Sequence, residues 1–235
     1  MSAKILYQLT SPMHRTLGQA EIDRRRDLLS AIVSPGVDIS VEPLDDGPPA
    51  VESLSDIALV AAELIRCTSR WRDGGYDAVV IGCFSDPGLS ALRDLVDVPV
   101  VGPGASSVHL AAQFGERFGV LSSEPTPKGL HARFRSLGVG ELFVSERMVG
   151  CSVLDLTRRK DEVLGGIVEA AKACVRDGAD VLVLGCLGMG FLPKLTDLIQ
   201  QQAGVPVINP VVAAVKTAEA AISLGLRPTM AAAAR

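Results

Sequence analysis

The chain has 235 residues, enough for one large domain or two small ones. Hydrophobic residues make up 48% and charged residues 21%, so a sizeable core can be buried; with aromatics at only 4%, that core must be aliphatic. The formal net charge of −4 argues against a nucleic-acid partner, which would want a basic face, and the cluster Arg24-Arg25-Arg26 reads as a solvated helix face.

Short apolar, β-branched runs alternate with longer segments of helical period. In chain order the predicted strands are Lys4–Leu9, Val37–Val41, Ala78–Cys83, Val98–Gly102, Phe118–Ser122, Leu142–Arg147, Val181–Cys186 and Val205–Ile208. The segment Val41–Leu54, rich in proline and acids, reads as a surface loop. After it, Leu54, Ile57, Ala61, Leu64 and Ile65 form one helical stripe; Val163, Ile167, Ala171 and Cys174 form another. Strand–helix alternation of this kind specifies an α/β fold with a mainly parallel sheet. The runs lack polar alternation, as expected of strands covered on both faces.

The N-terminus carries no signal-peptide core. No stretch reaches the ~18 apolar residues of a membrane span. The five cysteines, Cys67, Cys83, Cys151, Cys174 and Cys186, form no C-x-x-C pair, and His14, His109 and His131 are scattered. A disulfide framework and a metal site are therefore not expected, and a cytoplasmic protein with reduced thiols is. Gly102-Pro103-Gly104 lacks the third glycine of G-x-G-x-x-G, Gly185 to Gly190 is out of register with that pattern, and no phosphate-binding loop is present, so no nucleotide cofactor is indicated.

The chain repeats itself. Asp77-Ala-Val-Val-Ile-Gly82-Cys83 matches Asp180-Val-Leu-Val-Leu-Gly185-Cys186. Downstream, Val98-Pro-Val-Val-Gly-Pro103 matches Val205-Pro-Val-Ile-Asn-Pro210; upstream, the run ending Thr10-Ser11 matches that ending Ser122-Ser123. Landmarks repeated in the same order predict two homologous α/β halves of about four strands each.

Ligands of open parallel sheets bind beyond the carboxyl ends of the strands. Cys83 and Cys186 each close a strand there, directly after a glycine, and the hydroxyl pairs Thr10-Ser11 and Ser122-Ser123 close the first strand of each half. Two halves facing one another would aim the two thiols into one cleft. Such a pair suits inversion of a carbon centre, one thiolate removing a proton and the other thiol returning one. Asp86-Pro87 reads as an N-cap and first helical residue, and the helix dipole would favour a Cys83 thiolate by about 0.3–1 kcal/mol. The glycines before each cysteine read as room for a substrate to approach the backbone. A lone cysteine is more often a small core hydrophobe, which is the reading for Cys67 and Cys174; Cys151, before a polar loop, is ambiguous but is read the same way, and the symmetric occurrence of Cys83 and Cys186 sets them apart.

Gly82-Cys83-Phe84-Ser85-Asp86-Pro87-Gly88-Leu89 resembles the G-C-F-x-D-P-G-L motif of hydantoin and allantoin racemases, in the aspartate/glutamate/hydantoin racemase superfamily. Leu184-Gly185-Cys186-Leu187-Gly188-Met189 resembles their second motif, L-G-C-A-G-M. Gly47-Pro48-Pro49-Ala50-Val51-Glu52-Ser53 is similar to the loop before their second helix, and residues 205–216 to their last strand and helix. The chain departs at the first strand, where the common N-P-N-T-S ending reads Tyr7-Gln8-Leu9-Thr10-Ser11, and at Ala105, where an acid is usual.

The resemblance implies an α/β fold of two pseudo-symmetric, doubly wound domains with parallel four-stranded sheets and an interdomain active-site cleft. The domains would be residues 1–103 plus 210–235, and 104–209. It implies a cofactor-independent racemase, with Cys83 and Cys186 catalytic. Thr10, Ser11, Pro49, Phe84, Ser85, Ser122, Ser123, Leu187 and Gly188 would line the pocket. A small carbon acid, a 5-substituted hydantoin or allantoin, is the expected substrate, and a homo-oligomer the expected assembly, with neither nucleic acid nor membrane as partner. The alternatives are an amino-acid racemase, a relative of maleate isomerase or malonate decarboxylase, and a non-catalytic binding or maturation protein of the same fold.

Overall fold

The computed structural model describes residues 2–228. The chain divides into two compact units, Met1–Pro103 with Ala214–Arg235, and Gly104–Ala213. In the first unit the order is β1 (Ala3–Leu9), α1 (Met13–Thr16), α2 (Gln19–Ser30), β2 (Val37–Glu42), α3 (Leu54–Asp73), β3 (Ala78–Gly82), α4 (Leu89–Leu95) and β4 (Val100–Val101). Helix α5 (Pro103–Phe114) leads into β5 (Phe118–Ser122), α6 (Leu130–Ser136), β6 (Phe143–Met148), α7 (Asp155–Arg158), α8 (Lys160–Arg176), β7 (Val181–Leu184), α9 (Leu187–Gly190), α10 (Leu195–Ala203) and β8 (Val207–Ile208). Helix α11 (Pro210–Ser223) follows, and the division between units falls inside it.

Each unit is a parallel four-stranded sheet flanked by helices. The strand order is β2-β1-β3-β4 in one and β6-β5-β7-β8 in the other, so the sequence repeat is a repeat of topology. The apolar runs lie where both faces are covered. In β3, Ala78 to Ile81 are fully buried, as are Val181 to Leu184 in β7. Each such Val, Leu or Ile contributes about 1.5–3 kcal/mol by leaving water.

Helix α3 begins at Ser53, whose hydroxyl accepts from the Asp56 amide at 3.1 Å while the Asp56 carboxylate accepts from the Glu52 amide at 3.0 Å. It packs Val60, Leu64, Cys67 and Trp71 onto the first sheet. Leu54 and Ile65, expected on that stripe, are 60% and 40% exposed; α3 buries residues only from Val60 onward. In the second unit α8 seats Val163, Ile167, Ala171 and Cys174 as expected. That helix stops at Gly178 (φ 100), where the amides of Gly178 and Ala179 turn back onto the carbonyls of Val175 and Cys174.

The arginine cluster is not wholly solvated. Arg24 and Arg25 both bind the Glu21 carboxylate, and Arg25 is buried. Burial pushes the Glu21 carboxyl up, but its two arginine partners outweigh that and hold it below the usual carboxylate value. Among the described residues no helix is long and apolar enough to cross a membrane.

Candidate active site

Strands β3 and β7 end one and two residues short of the cysteines, so Cys83 and Cys186 stand just beyond the carboxyl edges of their sheets. Glycine precedes each for the same reason. A Cβ on Gly82 would meet Gln8 O at 2.7 Å and Leu9 Cα at 3.0 Å; one on Gly185 would meet Leu121 O and Val120 Cγ1, both at 2.7 Å. The expectation that these glycines make room for a substrate is thus replaced: they let the chain leaving the strand press against the neighbouring strand's backbone.

The turns after the cysteines differ. Cys186 is itself the N-cap of α9, with Gly188 beside it: a Cβ there would stand 3.5 Å from Cys186 Sγ and 3.1 Å from Leu156. Asp86 and Pro87 do not start a helix. Asp86 adopts φ 48, and α4 begins only at Leu89, after the left-handed Gly88. The Asp86 carboxyl lies instead against Gly102, where a Cβ would meet it at 2.5 Å. The short helix whose N-terminus a cysteine occupies is therefore in the second unit, not the first.

Cys83 is half-buried and Cys186 is 8% exposed. Phe84 and Leu187 are buried beside them, Gly188 is buried, and Ser85 is half-buried. Thr10 and Ser11 follow β1, buried, and the Thr10 hydroxyl donates to the carbonyl of Gly82 at 3.2 Å. The Ser11 carbonyl accepts from the amides of Met13 and Leu44, which ties this turn to the segment after β2. Pro49 lies in that same segment, on the surface.

The second unit repeats the arrangement. Ser122 and Ser123 are 2% and 4% exposed at the end of β5. The Ser122 carbonyl accepts from Val149, and the Glu124 amide donates to the Cys151 carbonyl at 2.8 Å, so the segment after β6 holds this turn. Ser122 Oγ lies 2.9 Å from where a Gly185 Cβ would be, which joins the hydroxyl turn to the cysteine turn. In each unit, then, a hydroxyl residue is in contact with the glycine that precedes the cysteine.

Two residues stand at this edge that sequence reasoning did not select. The hydroxyl of Ser122 donates to Oε1 of Glu146, on β6, at 2.5 Å. Burial pushes the Glu146 carboxyl up and the serine hydrogen bond opposes it. Cys151 shares a core cluster with Cys186, and its thiol is pushed up by burial, with the charges of Asp155 and Cys186 adding to the effect. Of the basic residues near the first hydroxyl turn, His14 is exposed and Arg15 reaches Asp46 at 3.9 Å. His109 bonds the Leu137 carbonyl at 3.0 Å. Among the described residues no group of three or more His, Cys, Asp or Glu is placed to hold a metal ion.

Comparison with known proteins gives concordant findings. The sequence model of the family described as Asp/Glu/Hydantoin racemase matches residues 21–218. A hydantoin racemase of Paenarthrobacter aurescens is 36% identical over 209 residues, 87% of either chain. Among solved structures, an allantoin racemase from Pseudomonas fluorescens superposes with a TM-score of 0.86 at 28% identity, covering 96% of this chain and 93% of that one. An allantoin racemase from Klebsiella pneumoniae gives 0.85 at 27% identity, covering 97% and 91%.

Proposed function

The chain belongs to the Asp/Glu/hydantoin racemase family, and from that premise we propose that it is a cofactor-independent racemase of a 5-substituted hydantoin or of allantoin, using Cys83 and Cys186 as its two acid–base groups. The observation that carries this reading is the placement of the two cysteines at the same point of two topologically identical sheets, each just past the third strand of its unit in chain order and each with a buried hydroxyl turn alongside. Names of the relatives support the ring substrate.

In the proposed reaction one cysteine, as thiolate, takes the proton from the carbon between the ring nitrogen and the carbonyl. The C–H bond breaks, an S–H bond forms, and the electron pair spreads into the carbonyl. The other cysteine, as thiol, then gives its proton to the opposite face of that carbon. The enzyme is left with the two sulfur roles exchanged, ready for the other enantiomer. The hydroxyls and amides of Thr10, Ser11, Ser122 and Ser123 would hold the ring's polar atoms, with Phe84, Ser85, Leu187, Gly188 and Pro49 around them. A cytoplasmic setting is part of the same reading, supported by five cysteines that are all free of disulfides.

The test is incubation of a single enantiomer of a 5-substituted hydantoin, and separately of allantoin, in D2O. Optical rotation should decay to zero and the product enantiomer should carry deuterium at the inverted carbon. Cys83→Ser and Cys186→Ser should each abolish racemisation in folded protein, since a serine hydroxyl is too weak an acid to replace the thiol. Full racemisation by either single variant, or no turnover of any of these rings by the wild type, overturns the reading.

A further inference from the structure

The hydroxyl beside each cysteine has its proton already engaged. Thr10 Oγ1 donates to the Gly82 carbonyl at 3.2 Å, and Ser122 Oγ donates to Glu146 Oε1 at 2.5 Å. A hydroxyl has one proton and two lone pairs, so a hydroxyl that has given its proton away can only accept from a further partner.

For Thr10 the engaging group is a backbone carbonyl, part of the sheet edge itself. For Ser122 it is a side chain, placed there by residue choice. Glu146 stands on β6, the edge strand, paired with Val120, two residues before Ser122 on the neighbouring strand, so the two side chains share one face of the sheet. An ionised carboxylate has no proton to give and must be the acceptor in this pair. No ion pair to Glu146 is present among the described residues, and the neighbouring Arg147 is bound instead to Asp177 at 2.6 and 2.8 Å. A half-buried carboxylate without a cation is costly to keep as packing alone, since burial disfavours its charge. Ser122, for its part, is 2% exposed and lies against Gly185, immediately before Cys186.

We propose that Glu146 is a positioning residue for substrate selection: by holding the Ser122 proton, it fixes Ser122 Oγ as a hydrogen-bond acceptor beside Cys186, so that this turn reads an N–H of the substrate ring and disfavours a carboxylate. This rests on the ring-racemase reading above. A carboxylate brought to the same oxygen would meet lone pairs without a donor, and the charge of Glu146 behind them. A cyclic ureide presents ring N–H groups and satisfies the acceptor. The substrate class is thus set by the direction of one hydrogen bond, without any cation in the turn.

The experiment is steady-state racemisation of a 5-substituted hydantoin and of its N1-methyl and N3-methyl counterparts. The enzymes are the full chain, Glu146→Gln, Glu146→Met, Ser122→Ala and the Ser122→Ala/Glu146→Met double variant. In the wild type, one of the two N-methyl rings should show a KM raised about tenfold, the size of one lost hydrogen bond. Glu146→Met should raise KM for the parent ring by a similar factor with kcat little changed, and should lose the distinction between parent and methylated ring. Glu146→Gln should restore most of it, because its amide oxygen can still accept from Ser122. In the Ser122→Ala background, Glu146→Met should add nothing, whereas a merely structural role would penalise both backgrounds alike. Equal penalties in both backgrounds, or a wild type indifferent to methylation at either nitrogen, overturn the inference while leaving the racemase reading in place. The methylation comparison needs no variant and so stands even if Glu146→Met does not fold. A wild type that racemises no ring overturns the functional reading and the inference with it.

Discussion

The indole N–H of Trp71 donates to Oε1 of Gln8 at 3.0 Å, with both side chains buried. Gln8 uses its amide protons on the Leu9 carbonyl at 3.1 Å and the Glu42 carbonyl at 2.9 Å, so a single side chain ties together the end of β1, the end of β2 and helix α3. This is the strand ending at which the chain departs from the N-P-N-T-S pattern. Leu9 is 2% exposed and Tyr7 fully buried, so the residues standing in place of the asparagines are packed into the core. Gln8 thereby fixes the carbonyl of Leu9, the residue just before the hydroxyl turn.

Replacing Trp71 by Phe should therefore cost about 1–3 kcal/mol of stability, the penalty for stranding a buried acceptor. Equilibrium unfolding in urea measures it. Specific activity of the folded fraction should be near that of the parent, since Trp71 bonds Gln8 and not a residue of the hydroxyl turn. An unchanged urea midpoint would mean that Gln8 finds another donor.

Alkylation should discriminate among the thiols. Cys83 is half-buried while the other four are buried. Burial pushes the thiols of Cys67, Cys151 and Cys174 up, which lowers their thiolate fraction, and Arg70 in addition donates to Cys67 Sγ at 3.0 Å. Iodoacetamide should label Cys83 first and abolish activity as it does so, with a hydantoin slowing both. Peptide mapping that finds Cys174 modified ahead of Cys83, or full activity after complete labelling of Cys83, contradicts this.

Gly82→Ala and Gly185→Ala should each destabilise the protein by about 1–3 kcal/mol, because the added methyl meets a neighbouring backbone that cannot move aside like a flexible side chain. Both substitutions also push the following cysteine off the sheet edge, so kcat should fall far more than the loss of folded protein explains. Thermal melts and kinetics on the same preparations separate the two effects. Wild-type kcat in either variant would show that the cysteines need no such exact seat.

Acid stability should depend on Arg147. Its guanidinium holds the Asp177 carboxyl down at about 2, against 3.8 for the ordinary group. A carboxyl whose folded-state value lies below its unfolded one stabilises the fold above pH 3.8 and loses that contribution as the pH falls through about 2. Arg147→Gln should therefore lower the urea midpoint at neutral pH while narrowing its gap from the parent as the pH drops through that window. The pair faces solvent, so the difference should be modest and should shrink with added salt.

Much of the fold was legible because it is written in local pattern. All eight apolar runs became strands, and the repeat of Gly-Cys after two of them gave the matching edges. What was not legible depends on pairing across the sheet. Glu146 meets Ser122 because β6 lies next to β5 and because a register shift between Phe118 and Gly119 moves the pairing; nothing in the local sequence reports either fact. Cys151 looked ambiguous for the same reason, since its nearness to Cys186 comes from the packing of α7 and α8 over the sheet. The Asp-Pro dipeptide after Cys83 carried a sound helix-start signal, yet Asp86 took a left-handed conformation with its carboxyl at Gly102, a partner sixteen residues onward.

The unit that is made first is not finished first. Its sheet is built from residues up to Val101, but Glu219 of α11 accepts from both the amide and the hydroxyl of Ser34, and α11 follows every strand of the second unit in the sequence. On the ribosome the first unit must wait, with one flank uncovered, until the whole of the second has been translated and α11 has emerged. A truncation at the Pro103 boundary removes that closing segment, whereas a circularly permuted chain that begins at Ala214 and runs on through a linker into the N-terminus would deliver it at the start.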